Sequence, residues 1–398
     1  MRILTFSTLY PNAVFPHHGI FVETRLRKLV ETGRVEARVV APSPWFPGGL
    51  PDWAPFHGAY APYACIPAHE TRHGLDIVHP RYLLIPKVGM TLAPFALAAT
   101  AERAMRAAQR AGFDFDLIDA HYFYPDGVAA AIVARRLQKP LTITARGSDI
   151  TEIALFPLQR RLIYWAAGQA AGVITVCQAL KDEMLRQAEA TGGLAPEKVH
   201  VLRNGVDLER FRPADPAEAQ ARLGVEGPVL LSVGHLIPRK GHDLVIRALA
   251  DLDGFTLLIV GLGPERANLE RLAASLGVAQ RVRFCGAVDQ AELRIYYSAA
   301  TMLVLASDRE GWPNVLLESM ACGTPVVATR VWGSPEVVGA PAAGILVPQR
   351  DAPSIAGAIR ALHQALPDRV STRAYAEKFS WDATSEGQIA LFSRILGR

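Results

Sequence analysis

The sequence predicts an α/β chain of two Rossmann-like domains, each a doubly wound parallel sheet, facing a central cleft. Three observations predict it. Short apolar runs alternate with longer amphipathic stretches from one end to the other, the rhythm of β-α-β units. The chain has 398 residues, enough for two cores rather than one. The rhythm breaks at Asn204-Gly205-Val206-Asp207, with Pro213 and Pro216 close behind, and then restarts.

In the first domain, aliphatic and β-branched runs predict strands over 3–7, 37–40, 117–120, 141–144, 173–176 and 199–202. Helical spacing predicts helices over 21–31, 92–111, 127–137 and 179–188. Residues 42–89 are rich in Pro, Gly, aromatics and His, and read as a long excursion shaping a cleft. In the second domain, strands over 229–233, 256–260, 282–284, 302–305 and 326–329 alternate with helices over 242–250, 264–276 and 313–322. A last helical stretch, 372–395, is long enough to cross back to the first domain. The expected domains are 1–205, joined by 372–398, and 206–371. Nothing repeats at the sequence level; only the architecture does.

Half the residues are hydrophobic and a fifth charged, the balance of a soluble globular protein. The net charge of +4 and pI near 8.9 suit an anionic small ligand and equally suit an ordinary surface. No Lys/Arg cluster interleaved with aromatics is present, which argues against a nucleic-acid partner. Cys65, Cys177, Cys285 and Cys322 lack CxxC spacing and read as buried free thiols of a reducing compartment. The N-terminal residues read directly as a strand rather than a signal peptide, and the apolar stretch at 90–101 is too short to span a bilayer. The expected location is cytoplasmic, with peripheral contact at the inner face of the membrane left open.

Open α/β sheets bind ligands outside the carboxyl ends of their strands, and the chemistry-bearing motifs fall there. Glu310-Gly311-Trp312-Pro313-Asn314-Val315-Leu316-Leu317-Glu318 follows the strand at 302–305. Pro313 suits a first helical position and Gly323 the position past the end. The early amides of Asn314 and Val315 then lie at the positive end of the dipole, where a pyrophosphate can bind. Glu318 is placed to accept from ribose hydroxyls. A purely structural role is open to both acids, Glu310 complementing the helix dipole and Glu318 solvated. A second motif, Val233-Gly234-His235-Leu236-Ile237-Pro238-Arg239-Lys240-Gly241, joins a strand to a helix on the same sheet edge. There Lys240 and Arg239 can neutralise phosphate oxygens.

Taken together, these residues resemble the retaining glycosyltransferases of family 4, with the GT-B fold. In that family a Glu, seven residues and a second Glu follow a Lys-Gly loop, as Glu310 and Glu318 follow Lys240-Gly241. Asn204-Gly205-Val206-Asp207, Gly333-Ser334-Pro335-Glu336, Gly344-Ile345-Leu346-Val347 and Phe379-Ser380-Trp381 match as well, so the resemblance covers nearly the whole chain. It implies an acceptor-side first domain and a donor-binding second domain. It also implies that the backbone at Gly19 approaches the sugar or phosphate, that His121 in Asp119-Ala120-His121 contacts the transferred sugar, and that the base is read by backbone near Gly286 and Ala287. Glu310, His121, Lys240 and Arg239 form the expected catalytic set. Gly19, His235, Asn314, Val315, Glu318, Gly286, Ala287 and Arg146 are expected to bind the donor.

Two positions depart from the family pattern. His235 stands where an Arg is usual, which makes one phosphate-facing cation titratable or removes it. Arg146-Gly147-Ser148-Asp149 stands where His-Gly-x-Asp is frequent, adding a fixed cation for a leaving phosphate or an anionic acceptor. A salt bridge from Arg146 to Asp149 or Glu152 is the alternative. Other signals are set aside. Gly261-Leu262-Gly263 lacks the third glycine of a dinucleotide fingerprint. Asp114-Phe115-Asp116 precedes its strand, so no metal is expected. Arg25, Arg27 and Lys28 on the first helix read as a solvated face rather than a lipid contact.

The resulting expectation is a retaining transfer of a hexose or N-acetylhexosamine from a nucleoside-diphosphate sugar. The acceptor is a glycan or lipid-linked hydroxyl, in bacterial polysaccharide or glycoconjugate synthesis, and no cofactor is needed beyond the donor. UDP, GDP and ADP remain open. The rivals are an isomerase resembling UDP-sugar 2-epimerases and a catalytically weak nucleotide-binding partner subunit.

Overall fold

The computed structural model describes residues 1–45, 57–84 and 89–398. The chain divides into two compact units, Met1–Arg203 with Thr384–Arg398, and Asn204–Ala383. Each contains a Rossmann-like sheet.

In the first unit the sheet runs, among the described residues, in the order Val199–Val201, Gly172–Thr175, Leu141–Ala145, Leu117–His121, Arg2–Phe6, Glu36–Val40, Leu75–Val78, His69–Arg72. All neighbours are parallel except the last pair. Leu117–His121 and Leu141–Ala145 are buried at every residue, as central parallel strands must be, which is why they read as unbroken apolar runs around Asp119 and two threonines. The strand order reverses between Arg2–Phe6 and Leu117–His121, a topological switch point.

The excursion at 42–89 is partly built into this sheet. His69–Arg72 and Leu75–Val78 pair antiparallel around a two-residue turn in which His73 and Gly74 both have positive φ. That is the backbone a tight hairpin demands, and X-Gly is its sequence signal. Residues 46–56 and 85–88 of the excursion lie outside the described residues. Arg25 corrects the solvated-face reading of the first helix. Ile20–Glu31 buries Arg25 to 1% exposure, while Arg27 and Lys28 pair with Glu31.

In the second unit the order is Val282–Gly286, Thr256–Val260, Val229–Val233, Met302–Leu305, Val326–Thr329, Gly344–Val347, all parallel. It reverses between Val229–Val233 and Met302–Leu305, whose buried residues feed one core with Val245, Ile246 and Leu249 of the helix His242–Ala250. Helices Pro216–Leu223, Gln290–Ala299 and Ala352–Gln364 are additions that apolar rhythm alone does not reveal. Their starts are nonetheless written in capping residues: Asp215, Asp289 and Asp351 each accept from the amide three residues on.

The stretch expected as one helix over 372–395 is two. Arg369–Ala376 ends in a short 3-10 turn, Ser380 is extended, and Trp381–Leu396 begins anew. The break is held by Val206, whose N–H donates to the Phe379 carbonyl, and by Gly205, where a Cβ would lie 2.5 Å from the Trp381 nitrogen. Residues 372–383 therefore stay with the second unit. The remainder belongs to the first, where Ile389, Leu391 and Phe392 pack with Ile3, Leu29 and Leu117. Of the cysteines, all free, Cys65 is exposed rather than buried.

Candidate functional site

In the second unit, two loops leave the sheet at its switch point and are tied together. The first follows Val229–Val233 and ends in the 3-10 turn Pro238–Lys240; the second follows Met302–Leu305 and reaches the helix Asn314–Ala321. The Asp308 amide donates to the Arg239 carbonyl at 3.0 Å, and the Arg239 guanidinium donates to the Arg309 carbonyl at 3.2 Å. Gly241 permits this closeness. It has φ 67°, and a Cβ there would lie 2.2 Å from the Ala306 carbonyl oxygen. The stem of Lys240 lies across Gly234, within 3.4–3.5 Å of where a Cβ would stand.

The result brings two sequence-predicted residues into contact. Lys240 Nζ donates to Glu310 Oε1 at 2.5 Å, with side-chain exposures of 16% and 10%. Ser307 Oγ donates to the same oxygen at 2.6 Å, and the Ser307 carbonyl in turn accepts from Thr329 Oγ1. Glu310 is thus held from two sides, and Lys240 is a cation fixed at the end of a strand rather than a surface charge. Arg239 is engaged with the neighbouring loop, and His235 is on the same loop with an exposed side chain.

The helix Asn314–Ala321 starts one residue later than expected, with Pro313 as its cap residue rather than its first helical one. The Asn314 N–H approaches the Trp312 carbonyl at 3.0 Å, and Asn314 Oδ1 accepts from Asn204 Nδ2 at 3.4 Å. Among the described residues no carbonyl accepts from the Val315 N–H, which leaves it as a donor at the positive helix end. Glu318 is part-buried and accepts from Tyr297 Oη at 2.8 Å. Burial pushes its carboxyl up to about 7, against the lowering effects of Tyr297 and Arg210. Gly286 and Ala287 lie at the carboxyl end of the outermost strand, where Gly286 accepts from the Gly261 amide.

The first unit gathers a second set at its own switch point. Asp119 and His121 alternate along one strand, so both side chains face the same way. Arg146 donates from its guanidinium to His121 Nδ1 at 2.7 Å, while His121 Nε2 lies 3.3 Å from Asp119 Oδ2. Asp119 also accepts from Thr142 Oγ1 at 2.8 Å and Gln388 Nε2 at 3.3 Å, and Gln388 Oε1 accepts from Arg25 Nε at 2.8 Å. Burial pushes His121 down to about 4, so the ring is neutral at physiological pH. Burial alone would raise Asp119, but His121, Thr142 and Arg25 hold it below the ordinary carboxylate range. The Arg146 guanidinium stacks over Phe21 at 5.2 Å, and Asp149 accepts from the Arg146, Gly147 and Phe123 amides.

Gly19 has φ 67°, and a Cβ there would lie 2.3 Å from the Leu9 carbonyl oxygen, so the loop requires glycine on internal grounds. That loop is anchored by a residue absent from the expected set. Asp126, fully buried, accepts from Thr8 N at 2.7 Å, Thr8 Oγ1 at 2.9 Å and Ser7 Oγ at 3.3 Å. Burial pushes it up to about 7. Asp119 could have been found from its place two residues before His121. Nothing in the sequence marks Asp126, Ser307, Tyr297 or Gln388. The Asp114 and Asp116 carboxylates are committed to Lys139 and to the Arg2 amide with Arg398. Among the described residues no three His, Cys, Asp or Glu side chains are grouped as a metal would require, and no helix is long and apolar enough to cross a membrane.

Comparison with known proteins fits this layout. Residues 21–210 match the family described as Glycosyltransferase Family 4, and residues 215–379 match Glycosyl transferases group 1. The D-inositol 3-phosphate glycosyltransferase of Frankia alni is 36% identical over 309 residues, 71% of this chain and 75% of that protein. Among solved structures, sucrose-phosphate synthase from Thermosynechococcus elongatus superposes with a TM-score of 0.78 at 21% identity, covering 100% of both chains. Anabaena Alr3699/HepE in complex with UDP-glucose gives 0.73 at 20% identity, covering 99% of this chain and 100% of that one. At such identities the likeness speaks to the fold.

Proposed function

This chain belongs to glycosyltransferase family 4, with the GT-B fold, and we propose that it transfers a hexose or N-acetylhexosamine from a nucleoside-diphosphate sugar with retention at the anomeric carbon. The observation that carries the reading is the switch-point set of the second unit: Lys240 fixed against Glu310 and Ser307, beside the start of the helix Asn314–Ala321. A fixed ammonium and an amide at the positive end of a helix suit the negative charge that develops on a departing diphosphate. In this reading Glu318, on the same helix, accepts from the donor's ribose, and Glu310 accepts from the transferred sugar as it exchanges its bond to Lys240. With the cationic groups gathered on the leaving-group side, the diphosphate oxygen takes the acceptor's proton from the face it leaves.

The acceptor is a glycan or lipid-linked hydroxyl in bacterial envelope synthesis, and the name of the Frankia relative adds a phosphorylated polyol to the classes worth testing. The test is a thermal-shift screen over UDP, GDP, ADP and their sugars, then transfer assays on both acceptor classes with NMR of the first product. Binding raises stability by mass action. An α-linked gluco-configured donor should give a product with a small anomeric coupling. A large diaxial coupling, or no stabilisation by any nucleotide, would overturn the proposal.

A further inference from the structure

We propose that the first unit carries a surface that docks on an anionic lipid bilayer, formed where the helices Ala93–Arg110 and Pro157–Gln169 begin. It rests on the glycosyltransferase reading only for its use, which is to meet a lipid-linked acceptor; its geometry is independent of that reading. The two helix starts are neighbours. Tyr124 Oη donates to the Met90 carbonyl and is hydrogen-bonded to the Gln159 side chain. One hydroxyl thereby joins the residues just ahead of the first helix to the first turn of the second. Around that joint Met90, Leu92 and Phe95 stand 46–55% exposed, and Leu155, Phe156 and Leu158 stand 48–64% exposed. Single apolar side chains on a surface are ordinary, but six large ones gathered at one place mark an interaction site.

The charge beside the patch decides what covers it. From Leu92 the exposed residues Phe95, Ala99, Arg103, Arg106 and Arg110 follow at spacings of three and four, so they form one helical stripe that passes from apolar to basic. On the second helix Arg161 is exposed three residues after Leu158. The helix Val128–Leu137 packs against both. Together the three helices hold seven arginines and a single acid, Glu102, which is taken up by Arg106 and Arg136. That surplus exceeds the net +4 of the whole chain, so positive charge collects on this side while the rest is on balance acidic. Arg103, Arg110 and Arg161 have no carboxylate partner among the described residues. A second copy of the chain, meeting this patch with its own, would set arginines against arginines. An anionic bilayer offers an apolar layer beneath a negative surface: the aliphatic and aromatic side chains enter the acyl boundary, and the guanidiniums reach the lipid phosphates.

The experiment is sedimentation of the whole chain with phosphatidylcholine vesicles, with and without phosphatidylglycerol, at low and high salt. The chain should bind the anionic vesicles at least about tenfold more tightly than the neutral ones, and high salt should release most of it. Phe95→Ser with Phe156→Ser, both at exposed positions, should keep the melting curve and lower vesicle affinity about tenfold or more. Arg103→Gln with Arg161→Gln should lower it about thirtyfold, from about fivefold for each arginine near the surface. Val370→Ser, the same kind of change at a position 78% exposed in the second unit, should alter neither reading. Vesicle binding needs no turnover, so a failed transfer assay leaves this proposal standing and a failure here leaves the transfer reading standing. Equal binding to neutral and anionic vesicles, or anionic binding that survives both double variants, would overturn the proposal. So would light scattering that finds a dimer separated by Phe95→Ser with Phe156→Ser, because the patch would then belong to a second copy.

Discussion

Replacing Lys240 by methionine keeps the stem that lies across Gly234 and removes only the ammonium. Glu310, 8% exposed, is then left with the Ser307 hydroxyl as its one remaining side-chain partner among the described residues. Breaking a fully buried ion pair from one side costs about 3–5 kcal/mol. The side-chain exposures of 16% and 10% and the surviving bond from Ser307 reduce that here, to roughly 2 kcal/mol. For a domain of this size the melting transition of the second unit should fall by about 4–8 °C. Adding Glu310→Gln removes the stranded charge and should return about half of the loss. Nucleoside-diphosphate affinity should behave differently. A charge-assisted phosphate contact is worth about 1.5–3 kcal/mol, so calorimetry should show Kd raised roughly 10- to 150-fold in Lys240→Met and not restored by Glu310→Gln. An unchanged Kd in the folded single variant would refute the phosphate role. A stability loss that Glu310→Gln does not relieve would refute the account of the pair.

Glu318 has a folded-state carboxyl raised to about 7, so its protonated form stabilises the fold below its ordinary value near 4.5, and that contribution is lost as pH rises through 7. Glu318→Gln should therefore stabilise the protein at pH 8 relative to wild type and not at pH 4. If the ionised form receives the ribose, nucleoside-diphosphate affinity should weaken about tenfold per unit below pH 7, and a flat titration would exclude that contact. Turnover should persist in EDTA because Lys240 and the helix amides supply the positive charge. Complete loss restored by added magnesium would count against this. Asp126→Leu strands the Thr8 amide and should cost about 1–3 kcal/mol, with faster hydrogen exchange at Thr8 and Leu9. Unaltered protection there would show that the loop does not depend on Asp126.

What the sequence determined by itself is local and periodic. Buried parallel strands need continuous apolar runs, so 229–233, 302–305 and 326–329 could be read to the residue. Lys240 and Glu310 could be named because they lie on loops that leave strand ends, and Glu318 because it lies inside the helix that follows. The helix Gln290–Ala299 is left out of the sequence reading, although Asp289 caps its start. Helical spacing runs the last stretch unbroken through 372–395, and only the match of Phe379-Ser380-Trp381 to the family's final-helix opening marks the break, where Ser380 is extended to suit the backbone of 204–206, far away in the chain.

Only the tertiary structure decided which charges meet. Strand order puts the loops after Val229–Val233 and Met302–Leu305 side by side, and so makes Lys240 and Glu310 partners across seventy positions of sequence. The same rule in the first unit joins Asp126 to Ser7 and Thr8. It also turns Arg25, which sequence reads as surface charge, into a buried support of Asp119 through Gln388. Periodicity reports whether a residue faces a core. It carries no information about what stands opposite, and for a buried charge that opposite partner sets the protonation state, and with it the chemistry the residue can perform.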